Sequence, residues 1–326
     1  MPSMAGRNKR EVRRILVIKL SALGDIVQAE GAMHDIRRHH PEAEITVMTT
    51  PPYRRLMERC PWVDRVLIDP RASRWRLDRM LALRRRLRRQ GFDLVYDLQQ
   101  VGRTDFYYRW FLRHTPWVGG ARGCSVHCRR PPDRCAADHF AICLEQAGVS
   151  VVHTRRCDVS WMTDDVGDVL AAVGLAGDPY VVLIPGGSPE HPQKRWPHYR
   201  QLADLLRQAG IRVATVPGPG EIDLCRGIGG EVLLEADGGV LDIFRLAGVL
   251  KQAALVVGND TGPTHIAVHL QRSGLALFSN HIPPTFSGIQ HGRFDWLEQA
   301  DLRDLAVATV WQRLAPLLAH CRRPET

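Results

Sequence analysis

Residues 15–28, ILVIKLSALGDIVQ, decide how this chain is read. Ile15–Ile18 and Leu20, with Lys19 between them, make an apolar, largely β-branched run of strand length. Ser21-Ala22-Leu23-Gly24 follows as a turn of mostly small residues, and Asp25 opens an apolar helix. In an α/β sheet, ligands gather beyond the carboxyl ends of the strands. Asp25 therefore stands where a catalytic base would stand, with a helix N-cap as the plainer alternative.

Outward from this stretch the same alternation continues. Ile26, Ala29, Met33 and Ile36 fall at helical spacing, and His40-Pro41 ends that helix because a residue before proline avoids the helical region. Strands are expected at 44–48, 63–68 and 92–98, with helices at 54–59, 78–90 and 105–112 between and after them. Residues 117–138, rich in Gly, Pro, Cys and Arg, read as a loop. After a boundary near 150–178 the alternation restarts: strand Tyr180–Ile184, helix 198–208, strand 211–216, helix 241–251, strand 253–257 and strand 275–278, with a closing helix at 302–318. Such alternation predicts two α/β domains with parallel sheets, 15–160 and 178–326, behind a basic leader at 1–14 expected to be a frayed tail.

Composition narrows the partners. Residues 1–158 hold 30 Lys+Arg against 17 Asp+Glu, and residues 159–326 hold 14 against 18. A basic first half and a mildly acidic second half point to an anionic partner for the first. Within that half, the helix 78–90 can turn Leu77, Met80, Leu81 and Leu87 to the sheet and leave a row of arginines outside, as a solvated face or a membrane-surface contact. No apolar run reaches the roughly 18 residues of a membrane span, and the leader has no apolar core of a secretory signal. The eight cysteines are expected as free thiols in a reducing compartment. Cys124, Cys128, Cys135 and Cys143, interspersed with His127 and His139, do not meet the paired spacing of a zinc site.

Three segments of the second half carry chemistry. Gly258-Asn259-Asp260-Thr261-Gly262-Pro263-Thr264-His265 runs from a strand into a helix, so backbone N–H groups and a helix dipole of about half a unit charge converge on one point. A pyrophosphate fits there, and the alternative is an ordinary capped helix. Pro185-Gly186-Gly187-Ser188 allows close backbone approach, with Lys194 a few residues on to neutralise a leaving diphosphate. Glu221, after Gly218-Pro219-Gly220, could accept hydrogen bonds from ribose hydroxyls. Neither G-x-G-x-x-G after a first strand nor G-x4-G-K-[ST] occurs, which argues against dinucleotide oxidoreductases and P-loop NTPases. The single Asp-Thr-Gly triplet lacks the second carboxylate that an aspartic protease needs.

Together ILVIKLSALGDIVQ (15–28), YDLQ (96–99), LIPGGSPEHPQKRWP (183–197) and VVGNDTGPTHIAVHL (256–270) resemble the ADP-heptose:lipopolysaccharide heptosyltransferase family, glycosyltransferase family 9. The resemblance implies a GT-B architecture of two Rossmann-like domains facing across a cleft, with the donor nucleotide mostly in the second. It implies inverting, metal-independent transfer of heptose from an ADP-sugar donor to an anionic, lipid-linked saccharide, the inner core of lipopolysaccharide. No further cofactor and no nucleic acid are implied, and the enzyme would work in the cytoplasm, peripheral to the inner membrane. Asp25 matches the family's base. Gly186, Gly187, Ser188, Lys194, Glu221, Asp260, Thr261, Gly262 and His265 match donor-side positions, and Ser21, Gln99 and Arg103 are assigned to the acceptor. Transfer of another nucleotide-activated sugar to an envelope glycan, or non-catalytic binding of a sugar nucleotide or polyanion, are the alternatives.

Overall fold

The computed structural model describes residues 11–128, 134–187, 191–280, 283–289 and 293–318. Ser188, most of the leader and part of the Cys/Arg-rich segment 119–135 lie outside them. The first sheet orders its strands β3-β2-β1-β4-β5-β6: β1 Arg14–Ile18, β2 Glu44–Thr49, β3 Arg65–Ile68, β4 Leu94–Asp97, β5 Trp117–Gly119 and β6 Val126–His127. The helices among and after them are α1 Leu23–Gln28, α2 Glu30–His39, α3 Arg54–Arg59, α4 Leu77–Gln90, α5 Gly102–Trp110, α6 Ala136–Gln146 and α7 Gly167–Ala172. All pairings are parallel, with Ile15 beside Ile45 on one side and Leu94 on the other.

The second sheet repeats the design as β12-β11-β10-β7-β8-β9. Its strands are β7 Tyr180–Ile184, β8 Arg212–Thr215, β9 Glu231–Val232, β10 Leu255–Asn259, β11 Gly274–Phe278 and β12 Phe294–Glu298. The helices are α8 Tyr199–Gln208, α9 Ile222–Arg226, α10 Ile243–Gln252, α11 Gly262–His269, α12 Pro284–Ser287 and α13 Val307–Leu314. In both sheets the strand order reverses beside the first strand, between β1 and β4 and between β7 and β10, the two places where such sheets open a crevice for a ligand. Covering both faces with helices explains why β1, β7 and β10 are apolar at nearly every position.

By their contacts the residues fall into two units: 1–21, 32–130 and 140–152 in the first, and 22–31, 131–139 and 153–326 in the second. The helix that carries Asp25 thus counts with the second unit although β1 belongs to the first. That grouping has identifiable causes. A Cβ on Gly31 would lie 2.2 Å from the carbonyl oxygen of His153. The Cys157 thiol donates to the Val27 carbonyl and to the Glu30 carboxylate at 3.1 and 3.2 Å.

Several expectations are corrected. The first helix is two helices, α1 and α2, parted at Ala29, and it begins at Leu23, so Asp25 is its third residue and not its cap. The described residues within 117–138 are not all loop: they hold β5 and β6, strands too short for periodicity to reveal, and the start of α6. The strands β9 and β12 were not expected, and the closing helix is a 3-10 turn at Leu302–Asp304 followed by α13. Cys128 and Cys143 are joined as a disulfide, their Cα atoms 5.6 Å apart, within bridging reach. The remaining described cysteines, Cys60, Cys124, Cys135, Cys157 and Cys225, are free thiols.

At the carboxyl edge of the first sheet two buried aspartates fasten the loops. Asp69, just past β3, receives a bidentate bond from Arg103 (2.9 Å to each oxygen), the Tyr107 hydroxyl at 2.7 Å and the Arg71 N–H at 2.8 Å. Asp97, ending β4, accepts the N–H groups of Gln99 and Gln100 on one oxygen, at 3.0 and 2.9 Å, and leaves its other oxygen buried without a partner among the described residues. Burial outweighs those hydrogen bonds and pushes the Asp97 carboxyl up to about 6. A carboxyl raised in the fold costs stability once both states are ionised, so the penalty is absent below about pH 4, where it is protonated in either state, and complete above about pH 6. Relative to Asp97→Asn, the native chain should therefore lose about 2 kcal/mol between pH 4 and pH 7, on the scale of about 1.4 kcal/mol per pKa unit. Urea unfolding of both proteins at the two pH values checks this; a constant difference between them would contradict it.

Candidate active site

The donor-side residues named from the sequence converge around the ends of β7, β8 and β10. Asn259, the last residue of β10, is fully buried, and its amide is used on both sides. Its Oδ1 accepts the Trp196 N–H at 3.2 Å and the Tyr199 hydroxyl at 3.1 Å, and its Nδ2 donates to the carbonyls of Pro185 and Gly186, each at 3.0 Å. One side chain thereby fixes the turn after β7 and the Lys194-Arg195-Trp196 segment to the end of β10. Sequence reading quoted Asn259 in its motif but gave it no role; its position beside Asp260 at a strand end was the available signal.

Glu221 makes the second brace. Its Oε1 accepts the Gly187 N–H at 2.9 Å and its Oε2 the Gly218 N–H at 2.9 Å, while Arg195 reaches Oε1 at 3.1 Å and also bonds the Gly187 carbonyl. A Cβ on Gly186 would lie 1.9 Å from the Glu221 carboxylate, so only glycine admits this contact. In this structure Glu221 ties two strand-end turns together, a role that the ribose expectation did not include. Arg195 was likewise quoted with Lys194 but not singled out.

Asp260 sits just past β10. Its Oδ2 pairs with Lys194 Nζ at 2.9 Å, and its Oδ1 accepts the Ser287 hydroxyl at 2.9 Å and lies 3.5 Å from His265 Nε2. Burial alone would raise this carboxyl, but the hydrogen bond and charge of His265 and the charge of Lys194 reverse that and hold it well below the usual carboxylate range. Ser287, in α12, was missed from sequence, since nothing in its surroundings marks it. Thr261 caps α11 in extended conformation, with its hydroxyl 3.3 Å from that of Thr264, which itself donates to the Asn259 carbonyl at 2.6 Å. His265 is buried, and its Nδ1 has no hydrogen-bond partner among the described residues.

Asp25 reaches this group through helix packing. A Cβ on Gly24 would lie 2.5 Å from the His265 ring, and a Cβ on Gly262 would lie 2.7 Å from Leu23 Cδ2. The first turns of α1 and α11 therefore touch at the two positions that carry no side chain. Asp25 is half-buried, and its Oδ2 accepts the Ala22 N–H at 3.1 Å, the carboxylate half of a capping box. Asp25 is thus the N3 member of that box, with Ala22 as the N-cap, so the N-cap alternative does not hold.

The acceptor-side candidates all lie in the first unit. Gln99 Oε1 accepts the N–H groups of Leu20 and Ser21 at 2.8 and 3.2 Å, fixing the turn that leads to Asp25. The Ser21 hydroxyl lies 3.2 Å from Arg71 Nη1. Arg103 is occupied by Asp69 and by the Ala72 carbonyl at 3.0 Å, so it positions the 69–72 loop. No group of three or more His, Cys, Asp or Glu side chains gathers as metal ligands among the described residues. A cavity of about 490 Å3 lies beside the donor-side turns, lined by Pro185, Arg195, Trp196 and Tyr199 among others. A larger one, about 1050 Å3, is lined by Tyr180, Ala254 and Ser273 at the opposite ends of the strands and includes none of the predicted residues.

Comparison with known proteins finds similar sequences and similar folds. The profile of glycosyltransferase family 9 (heptosyltransferase) matches residues 154–294, the part that holds the Asn259, Glu221 and Asp260 cluster. That match covers under half of the chain, whose second part is thus similar to this family. Lipopolysaccharide heptosyltransferase 1 of Pseudomonas aeruginosa is 25% identical over 299 residues, covering 84% of this chain and 81% of that protein. A family 9 glycosyltransferase from Veillonella parvula superposes with a TM-score of 0.80 at 22% identity, covering 95% of this chain and 98% of that one. The Escherichia coli heptosyltransferase WaaC with ADP does so at 0.71 and 20% identity, covering 93% and 99%. The two Rossmann-like units are thus those of a GT-B fold.

Asn259 offers a direct test of this architecture. Asn259→Ala removes four hydrogen bonds and strands their buried partners, a loss of about 4 kcal/mol when each bond contributes about 1 kcal/mol net. Urea unfolding measures it, and a change below about 1 kcal/mol would show that the loops are held by other means.

Proposed function

We propose that the chain is a glycosyltransferase that moves heptose from ADP-heptose to a hydroxyl on the inner core of lipopolysaccharide, with inversion at the anomeric carbon and Asp25 as the base. The contact between the first turns of α1 and α11 carries the reading, because it joins the Asp25 turn to the turn of Asp260, Thr261 and His265. Asp25 takes the proton of the acceptor hydroxyl as that oxygen attacks the anomeric carbon. The bond from that carbon to the diphosphate breaks on the opposite side, and its electron pair leaves on ADP. Lys194 and the N–H groups at the start of α11, beginning with Gly262, meet the charge that develops on the diphosphate, so the step as proposed needs no metal. Asp260 holds Lys194 in place, and the donor phosphates would share or displace that partner.

Gly186 and Gly187 let the backbone approach the donor, and Glu221 and Arg195 keep that turn in shape. The ADP-heptose assignment draws on relatives named as heptosyltransferases and on structures of WaaC described with ADP and with ADP-2-deoxy-2-fluoro heptose. Gln99, Ser21 and Arg103 shape the acceptor side, and the amide nitrogen of Gln99, without a partner among the described residues, can meet the acceptor directly. The basic first half suits an acceptor bearing phosphates and carboxylates, presented at the cytoplasmic face of the inner membrane.

Asp25→Asn keeps the size and a hydrogen-bonding oxygen but removes the base. It should lower turnover of ADP-heptose by about a hundredfold to ten-thousandfold, with ADP affinity by calorimetry left within about twofold, since Asp25 acts on the acceptor. Turnover at the native rate would rule Asp25 out as the base.

A further inference from the structure

The segment between β3 and the middle of α4 has no part in the chemistry above, yet it is built with unusual care. Asp69 and Ala72 are clamped by Arg103, and Arg71 between them adopts a left-handed backbone, φ 51°. A tight turn follows: the Arg76 N–H bonds the Ser73 carbonyl at 3.0 Å and the Leu77 N–H bonds the Trp75 carbonyl at 3.0 Å. At its tip Trp75 is 91% exposed, and Leu77 and Leu81, one turn apart on α4, are 69% and 46% exposed. The sequence had turned Leu77 and Leu81 to the sheet; the structure buries Met80, Leu83 and Leu87 there instead and leaves those two in solvent. Arg71, Arg74, Arg76 and Arg79 are exposed around them, and residues 71–89 hold nine arginines against one aspartate.

A braced loop that presents an indole and two leucines inside a ring of arginines has the chemistry of an anionic bilayer interface. Aromatic rings settle at headgroup level, leucines enter the acyl boundary, and arginines meet lipid phosphates. A second copy of the chain is a poor occupant, because its own matching surface carries the same positive charge. The segment follows the carboxyl end of β3, and Arg71 bonds the Ser21 hydroxyl, so it adjoins the edge assigned to the acceptor. We propose that Trp75, Leu77 and Leu81, with Arg74, Arg76 and Arg79, dock the first unit on an anionic lipid surface and so present that edge to lipid-borne saccharide. Its bearing on the acceptor rests on the function proposed above; the docking does not.

Flotation of the full chain with phosphatidylglycerol vesicles tests it, with phosphatidylcholine vesicles as control. The native protein should float with the first and not the second. Trp75→Ser should weaken binding at least tenfold, and Arg74→Gln and Arg76→Gln about fivefold each, the equivalent of about 1 kcal/mol per arginine near such a surface. Brominated lipid should quench fluorescence in the native chain more than in Trp75→Phe. These side chains are exposed, so thermal unfolding should not move, which separates lost docking from lost folding. Trp75→Ser should turn over a delipidated acceptor at the native rate and a vesicle-borne one at least tenfold slower. Equal flotation of the native chain and Trp75→Ser, no flotation of either, or burial of Trp75 in a dimer without vesicles would overturn the docking. Flotation as expected with no turnover of any acceptor would overturn the proposed function and leave the docking standing.

Discussion

Two missing side chains hold the reactive end of this molecule together. Gly24 and Gly262 are the positions at which α1 and α11 meet, and a methyl group on either would enter the neighbouring helix. Because both helices begin there, the contact joins two turns that carry carboxylates, Asp25 on one and Asp260 on the other. The remainder of the second unit serves to keep α11 in that place. Asn259 locks the strand end before it, Thr264 returns to the Asn259 carbonyl, and Ser287 and His265 hold the Asp260 carboxylate from behind. On the other side, Cys157 and the close approach of Gly31 to His153 fasten α1 and the start of α2 to the same unit.

This arrangement explains why a strongly acidic carboxyl is useful at Asp260. That carboxylate keeps the Lys194 and His265 side chains oriented, so under the proposed function neither needs to be reordered when a diphosphate arrives. Exposure would let water screen these charges and weaken their hold on one another, and the low exposure of Lys194 and Asp260 avoids that.

The strand-turn-helix motifs were legible because they obey local rules. A continuous apolar run marks a strand covered on both faces, and Gly, Pro and Asp mark the turns that follow. Asp25, Lys194, Glu221, Asp260 and the glycines were placed in this way. What escaped depends on partners distant in sequence. Ser287 matters only because Asp260 lies beside it, Asn259 because four groups from two other loops converge on it, and Arg103 because Asp69 claims its guanidinium. The strands β5, β6 and β9, two or three residues long, have no periodicity to read. Asp25 was expected to open its helix, but Leu23 and Gly24 precede it, because the helix starts where Gly24 can meet His265.

The charge of the first half has a similar explanation at the level of single residues. Five of its aspartates do internal work: Asp64 accepts the Ile45 N–H, Asp93 those of Arg13 and Arg14, Asp69 and Asp97 those of their own loops, and Asp35 that of Val152. Each fastens a loop or strand end through backbone hydrogen bonds. The arginines, by contrast, stand mostly in solvent along α4 and the turn before it. Nine arginines against one aspartate at residues 71–89 make that part of the surface more positive than the average over residues 1–158, so the excess of arginine is concentrated where the chain offers it to a partner.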